Sequence, residues 1–160
     1  MTASMGLDIP AEHKFLSVLG TAVSSFVELV GDATLAYAVQ LAVHEVCANA
    51  IDHAYPQEAG AMPDEARIRV QVQANGEAVR ARVADNGRFF DPHTLNWPLT
   101  TQWETVETAD GAAYRLLHVA EPGIDQERGR GIFLIRQLMD EVLYAGQAGQ
   151  NVWQLTKVLQ

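Results

Sequence analysis

Residues 44 to 55 read His-Glu-Val-Cys-Ala-Asn-Ala-Ile-Asp-His-Ala-Tyr, a helix-forming stretch with more polar chemistry than a core helix needs. Residues four apart share a helix face, so Glu45, Asn49 and His53 form one polar stripe, with Asp52 near its edge. The opposite face is apolar, and Leu41, Ala48, Ile51 and Ala54 are expected to pack it against a sheet. A carboxylate, an amide and an imidazole then look into one space. An amide oxygen is a hard ligand that Mg²⁺ accepts beside substrate phosphates, and a nearby carboxylate can take a proton from an attacking hydroxyl. Asn49 is the candidate metal ligand and Glu45 the candidate base. Asn49, Asp52 and His53 are the candidate ligand-facing residues. The bland alternative is a solvated helix face, and the decision between the two lies in the rest of the chain.

Outward from this helix, the boundaries are plain. Asp32 suits an N-cap, and Pro56 stops a helix that starts at Ala33 and runs to about Tyr55. Before it, apolar residues recur at helical spacing from Ala11 to Val30, and Gly31 supplies a candidate C-terminal cap. Residues 6 to 10 read as an extended lead-in, because the residue before a proline avoids helical geometry, and they suit an edge strand.

After a loop at residues 57 to 66 the pattern changes to strict alternation. Ile68, Val70 and Val72 alternate with Arg67, Arg69 and Gln71, then Val79, Ala81 and Val83 with Arg80 and Arg82. Asn75-Gly76 between them predicts a hairpin with a type I′ turn. One face of this pair is core, and the arginines belong on the wet face of an antiparallel sheet.

The second strand runs into Asp85-Asn86-Gly87. A carboxylate at a strand end, beside a glycine that lets the backbone turn, can accept a hydrogen bond from an exocyclic amine such as that of adenine. The alternative is an ordinary turn. Later, Glu127-Arg-Gly-Arg-Gly-Ile-Phe-Leu-Ile135 places Gly129 and Gly131 before an apolar-periodic helix. The free N–H groups of its first turn can point at an anion. Arg128, Gly129, Arg130, Gly131 and Ile132 form the expected phosphate segment, the arginines adding charge that favours a triphosphate. Two closing strands follow, around Val142-Leu143-Tyr144 and Val152 to Val158.

With 160 residues the chain suits a single domain, residues 1 to 160. Residues 93 to 127 are the least legible part and are expected to be a long lid or insert, with Ala113 to Val119 a short strand or helix. The formal net charge of -9 argues against direct nucleic-acid binding, so a protein partner is expected. No apolar run suits a membrane span and the first residues lack a signal-peptide layout, so the expectation is a cytoplasmic protein away from membranes. The single cysteine, Cys47, excludes an internal disulfide and a thiolate zinc cluster. It reads as a small buried hydrophobe.

Taken together, Glu45-x-x-x-Asn49 on a helix, Asp85-x-Gly87 after a hairpin and Gly129-x-Gly131 before a later helix resemble the N, G1 and G2 boxes of the GHKL ATPase superfamily. Within it, residues 42 to 55, Phe90-Asp91-Pro92 and Phe133 to Val142 resemble the bacterial anti-sigma factor serine/threonine kinases. The resemblance spans nearly the whole chain. It implies a two-layer α/β sandwich of the GHKL (Bergerat) type, with a mixed, mostly antiparallel sheet covered on one face by helices. ATP and Mg²⁺ would lie between helices and sheet. It also implies roles: Asn49 on the metal, Asp85 on the adenine amine with Gly87 under the ring, Gly129 and Gly131 along the phosphates, and Glu45 as general base. His53 would contact phosphates or only hold the helix. Family substrates are small STAS-domain antagonist proteins bearing the acceptor serine or threonine. Many members also bind a sigma factor and pair with themselves as homodimers.

Two departures stand out. The stretch between the second and third boxes is longer than the family's usual lid. Before the last strand, where members commonly show Gly-Thr, this chain has Gln150-Asn151, so a hydroxyl near the adenine is either replaced by an amide or missing. The leading expectation is an ATP-dependent serine/threonine kinase in a partner-switching pathway. The alternative is a non-catalytic ATP-binding module that sequesters a sigma factor or other regulator. A histidine-kinase fragment fits less well, since neither His13 nor His44 lies on a dimerisation helix.

Overall fold

The computed structural model describes residues 1–55, 65–90, 101–124, 129–147 and 149–160. Strand β1 (Ala3–Pro10) leads through a short 3-10 turn (His13–Phe15) into helix α1 (Leu16–Glu28) and helix α2 (Ala33–His53). Strands β2 (Arg67–Ala74), β3 (Ala78–Asp85), β4 (Thr101–Thr108) and β5 (Gly111–Val119) follow. Helix α3 (Arg130–Leu138) and strands β6 (Glu141–Gln147) and β7 (Gln150–Val158) complete the chain. The seven strands form one sheet in the order β1-β2-β3-β7-β6-β5-β4. Every pairing among the described residues is antiparallel, so the sheet lacks the parallel pair that a mixed sheet would contain.

All three helices lie on one face, giving the two-layer α/β sandwich of the GHKL type. Alternation in β2 and β3 decides which face. Ile68, Val70, Val72, Val79, Ala81 and Val83 are buried under the helices, while Arg69, Gln71, Gln73 and Arg80 are exposed on the other side. Removing a fully buried side chain of this kind from water is worth roughly 1.5–3 kcal/mol, so this stripe fixes the register.

Helix α2 begins as the sequence predicts, with the Asp32 side chain accepting from Leu35 N–H at 2.8 Å. Its buried residues are Ala36, Ala38, Val39, Ala42, Val43, Val46, Cys47 and Ala50, with Ala54 just beyond its end. The expected inward set of Leu41, Ala48, Ile51 and Ala54 is therefore mostly displaced. Leu41, Ala48 and Ile51 are only half-buried, because α2 is flanked by α1 and α3 as well as resting on the sheet.

Two caps and turns differ from expectation. Helix α1 closes with Leu29 N–H donating to Phe26 O and with Val30 and Gly31 N–H donating to Val27 O, and Gly31 is not in the left-handed region that a glycine cap uses. At Asn75-Gly76 neither residue has positive φ, so the turn is not type I′. Instead the Asn75 side-chain oxygen accepts from Glu77 N–H at 2.8 Å and Ala78 N–H at 2.9 Å, a side-chain-held turn.

The stretch expected to be a lid is partly sheet. Residues 101 to 119 form the β4–β5 hairpin at the edge of the sheet, paired to β6 through Tyr114↔Tyr144 and Arg115↔Leu143. Arg115 ties this addition in place, 2.6 Å from Glu104 on β4 and 3.4 Å from Glu141 on β6. Of the rest of the expected lid, residues 120–124 follow β5 without helix or strand, and residues 93–100 and 125–127 lie outside the described residues, as does Asp91-Pro92.

Candidate functional site

The middle of α2 and the start of α3 meet at Gly131. A β-carbon at this position would stand 2.9 Å from Glu45 Oε2 and 3.3 Å and 3.4 Å from the two ends of the Asn49 amide. Only a residue without a side chain lets the first turn of α3 come this close to both polar groups. Glu45 and Asn49 are half-buried, on the flank of α2 that faces α3.

The first turn of α3 has a backbone geometry set by glycine. Gly129 takes left-handed φ of 89°, which a glycine adopts without strain, and no side chain caps the helix. The first intrahelical bond runs from Phe133 N–H to Gly129 O at 3.0 Å. The N–H groups of residues 130 to 132 thus precede the helical ladder and carry its positive end. The Ile132 side chain is buried in the core, so this residue can serve a ligand only through its backbone. Arg130 donates from Nη2 to Ile124 O at 2.7 Å. Arg128 lies outside the described residues.

A second cluster forms at the end of β3. Asp85 is 4% exposed, and its Oδ1 accepts from Gly87 N–H and from the Asn151 amide, both at 2.9 Å. Both hydrogen bonds that this carboxylate makes among the described residues thus fall on one oxygen. Burial pushes the Asp85 carboxyl above its ordinary range, and the Asn151 and Gly87 donors pull it partly back. Its charge reaches under α2. Burial first, and the Asp85 carboxylate second, raise the Cys47 thiol to about 12 and the Tyr55 hydroxyl to about 12. Tyr144 is raised as well, chiefly by burial.

Gly87 is more constrained than Gly131, because its near neighbours include backbone atoms. A β-carbon there would lie 2.6 Å from the Ala54 carbonyl oxygen, and the next residue, Arg88, donates its N–H to that oxygen at 2.8 Å. Arg88 also donates from Nη2 to His53 O at 3.1 Å, placing a cation on the C-terminal carbonyls of α2, where the helix dipole favours it. The Asp-x-Gly turn is thereby fastened to the same helix that carries Glu45 and Asn49. Residue 54 and residue 45 are separated by about 13 Å of helix axis, at 1.5 Å per residue.

Asp52 and His53 lie in the last turn of α2, beyond Asn49. Asp52 is half-exposed, with Oδ1 2.7 Å from His13 Nε2, so the structure pairs it across to the 3-10 turn. The His53 side chain is exposed at the last turn of α2.

Several residues of the site were not singled out from sequence. Asn86, the middle residue of Asp-x-Gly, accepts from Arg67 N–H at 3.0 Å and donates to Glu65 O at 2.8 Å. The Tyr55 hydroxyl lies 2.6 Å from Asn86 Oδ1 and accepts from Asn86 N–H at 3.0 Å. Tyr144 accepts from Phe90 N–H at 3.0 Å and stacks between Phe89, 5.5 Å away, and Trp153, 4.6 Å away. Nothing in a linear pattern signals these partners: Asn86 meets Tyr55 and Arg67 where the end of α2 reaches the β2–β3 pair, and Tyr144 meets Trp153 across β6–β7.

Among the described residues no helix is long and apolar enough to cross a membrane. Comparison with known proteins agrees with this geometry. Residues 9–157 match the family described as the histidine kinase-like ATPase domain. The chain is 27% identical over 154 residues to the serine-protein kinase RsbW of Bacillus pumilus, covering 96% of this chain and 84% of that protein. It is 29% identical over 156 residues to RsbW of Halalkalibacterium halodurans, covering 96% and 82%. Among solved structures, the histidine kinase domain of the Erythrobacter litoralis EL346 blue-light activated kinase aligns at 19% identity with a TM-score of 0.48, covering 93% of this chain and 61% of that one. With nearly the whole chain matched and the three motifs folded onto one helix layer, this protein belongs to the histidine kinase-like ATPase domain family.

Proposed function

We propose that this chain is an ATP-dependent protein kinase that phosphorylates a serine or threonine of a small STAS-domain antagonist in a partner-switching pathway, and that it also acts as an anti-sigma-type regulator. The observation that carries this reading is the close approach of Gly131 to Glu45 and Asn49, which sets a carboxylate and an amide against the N-terminus of helix α3. Two relatives of similar length are named serine-protein kinases, and Glu45 is present here.

The donor set fits ATP and Mg²⁺. The Asp85 oxygen outside its two hydrogen bonds suits an adenine amine, the glycine at 131 leaves a cradle that a β-carbon would fill, and Asn49 offers a hard oxygen. Among the described residues there is no group of three or more His, Cys, Asp or Glu side chains suited to a metal. Mg²⁺ commonly binds through one or two protein ligands together with phosphates and water. When bound, Mg²⁺ would neutralise charge on the phosphates.

The residues divide the work. Asp85 holds the base, and Gly87 keeps the ring space open. The N–H groups of Gly131 and Ile132 receive the phosphates, assisted by Gly129, Arg130 and Arg128, and Asn49 would hold the metal. Asp52 and His53 at the end of α2 border the nucleotide. Glu45 accepts the proton of the substrate hydroxyl as its oxygen bonds to the γ-phosphorus and the bond to the β–γ bridging oxygen breaks, leaving ADP. The span from residue 54 to residue 45, about 13 Å, suits an extended nucleotide along α2.

The test uses purified protein, radiolabelled ATP with Mg²⁺ and a STAS-domain protein from the same cell. Label in serine or threonine, lost in Glu45→Ala while nucleotide still binds, is the expected result. Nucleotide binding without transfer, indifferent to Glu45→Ala, selects a non-catalytic module that sequesters a sigma factor or other regulator.

A further inference from the structure

We infer that Asn151 is a positioning residue that fixes the rotation of the Asp85 carboxylate and so determines how strongly the site prefers a base bearing an exocyclic amine. The inference rests on the reading of Asp85 as the base-holding group.

The two residues are directly opposed across the β3–β7 ladder, and Asn151 is 3% exposed. Its amide nitrogen lies 2.9 Å from Asp85 Oδ1, 3.0 Å from Gly87 O and 2.9 Å from Arg88 O. With the amide reversed, an oxygen would face three oxygens, so these neighbours settle which end is the donor. The amide has two N–H bonds to share among three acceptors. A hydroxyl at the same place has one and leaves at least two of them without this donor.

The consequence falls on Asp85. Its Oδ1 is held by Asn151 and by Gly87 N–H, the two hydrogen bonds the carboxylate makes among the described residues, and its other oxygen makes neither. Rotation about the bond to the carboxyl carbon would break both contacts, so one oxygen is kept for the ligand. An amine N–H meets that oxygen favourably, and a ring carbonyl in the same place meets it lone pair to lone pair. The same amide ties Gly87 and Arg88 to β7, so the floor beneath the base and the acceptor beside it are set by one side chain.

The test compares Mg²⁺-dependent binding of ATP with that of purine riboside triphosphate, which lacks only the amine, in the wild type, Asn151→Ala, Asn151→Thr and Asp85→Ala. The wild type is expected to prefer ATP by ~10-fold, the equivalent of one good hydrogen bond at about 1.4 kcal/mol. Asn151→Ala should weaken ATP by about that factor and leave the analogue within roughly 3-fold, and Asn151→Thr should fall between. Equal weakening of both nucleotides in Asn151→Ala, or an unchanged preference, overturns the inference, because a merely structural role has no reason to follow the amine. If Asn151→Ala does not melt cooperatively, Asn151→Thr decides alone, and a wild-type preference in it overturns the inference. Asp85→Ala separates the two levels: if it keeps the wild-type preference for ATP, the reading of Asp85 fails. If it loses that preference while both Asn151 variants keep it, only the role of Asn151 fails.

Discussion

Gly131 lies so close to Glu45 that a single added methyl group would stand 2.9 Å from the carboxylate oxygen Oε2. Helix α3 and the polar flank of α2 therefore share one space, and Gly131 controls its width. Gly131 is not in the left-handed region, so alanine is free to adopt its backbone conformation. Gly131→Ala should leave the protein as stable or up to about 1 kcal/mol more stable, since alanine is the better helix former. The same change should reduce nucleotide affinity and phosphoryl transfer by ~10-fold or more, because Glu45 must swing aside. Thermal melts and binding isotherms on one preparation would separate the two effects.

Glu45→Gln keeps size and polarity and removes the proton acceptor. Transfer to a protein hydroxyl should fall by roughly 10²–10⁴-fold, with nucleotide affinity within about 3-fold of wild type. Single-turnover phosphorylation beside equilibrium nucleotide binding measures both.

Asp85 gives a pH dependence with opposite signs for folding and binding. Its carboxyl is raised above the ordinary aspartate value of 3.8, first by burial. Between 3.8 and the raised folded value the native state holds more proton than the unfolded chain, so this group's contribution to stability falls as pH rises through that window. Nucleotide binding should instead weaken as pH falls through the same window, because the protonated form loses acceptor capacity. Urea unfolding and ATP binding from about pH 4 to about pH 7 should show both slopes, and Asp85→Asn should lose this group's share of each.

Cys47 is fully buried and its thiol is raised to about 12. The native protein should resist alkylation near pH 8, since the thiolate is the nucleophile, and should label completely in denaturant. Mass-detected labelling against urea concentration should follow the global unfolding curve. Labelling of the native state would show that α2 opens locally.

The legible parts of the fold were those where one face meets one environment. The alternation of β2 and β3 is read correctly because one side of that pair is core and the other solvent. The inward face of α2 was misjudged because this helix has three neighbours, which bury Val39, Val43 and Val46 rather than the pattern's Leu41, Ala48 and Ile51. In β5 the buried residues Ala113, Leu116 and Val119 are spaced three apart, a helical interval, and the paired strand carries a register shift at Gln102/Trp103. Strand periodicity is disguised there, so a hairpin reads as an insert. In the site, Glu45, Asn49 and Gly131 were legible as a group because two lie on one helix face and the third opens another helix. Asn151 was legible only as an amide standing where a hydroxyl is usual, not in its bond to Asp85, and Tyr55 and Tyr144 were not legible, since each acts through a hydrogen bond to a residue more than thirty or fifty positions away.

Strand β7 lies between β3 and β6, so it alone joins β1-β2-β3 to β6-β5-β4. Of the seven strands it is also the last to be synthesised. On a ribosome, the first three strands and two helices can assemble early, but the two halves of the sheet have no seam until residues 150 to 158 emerge. Asp85 waits for Asn151 over the same interval. A nascent chain stalled before β7 should therefore carry every motif of the pocket and still be unable to hold a nucleotide.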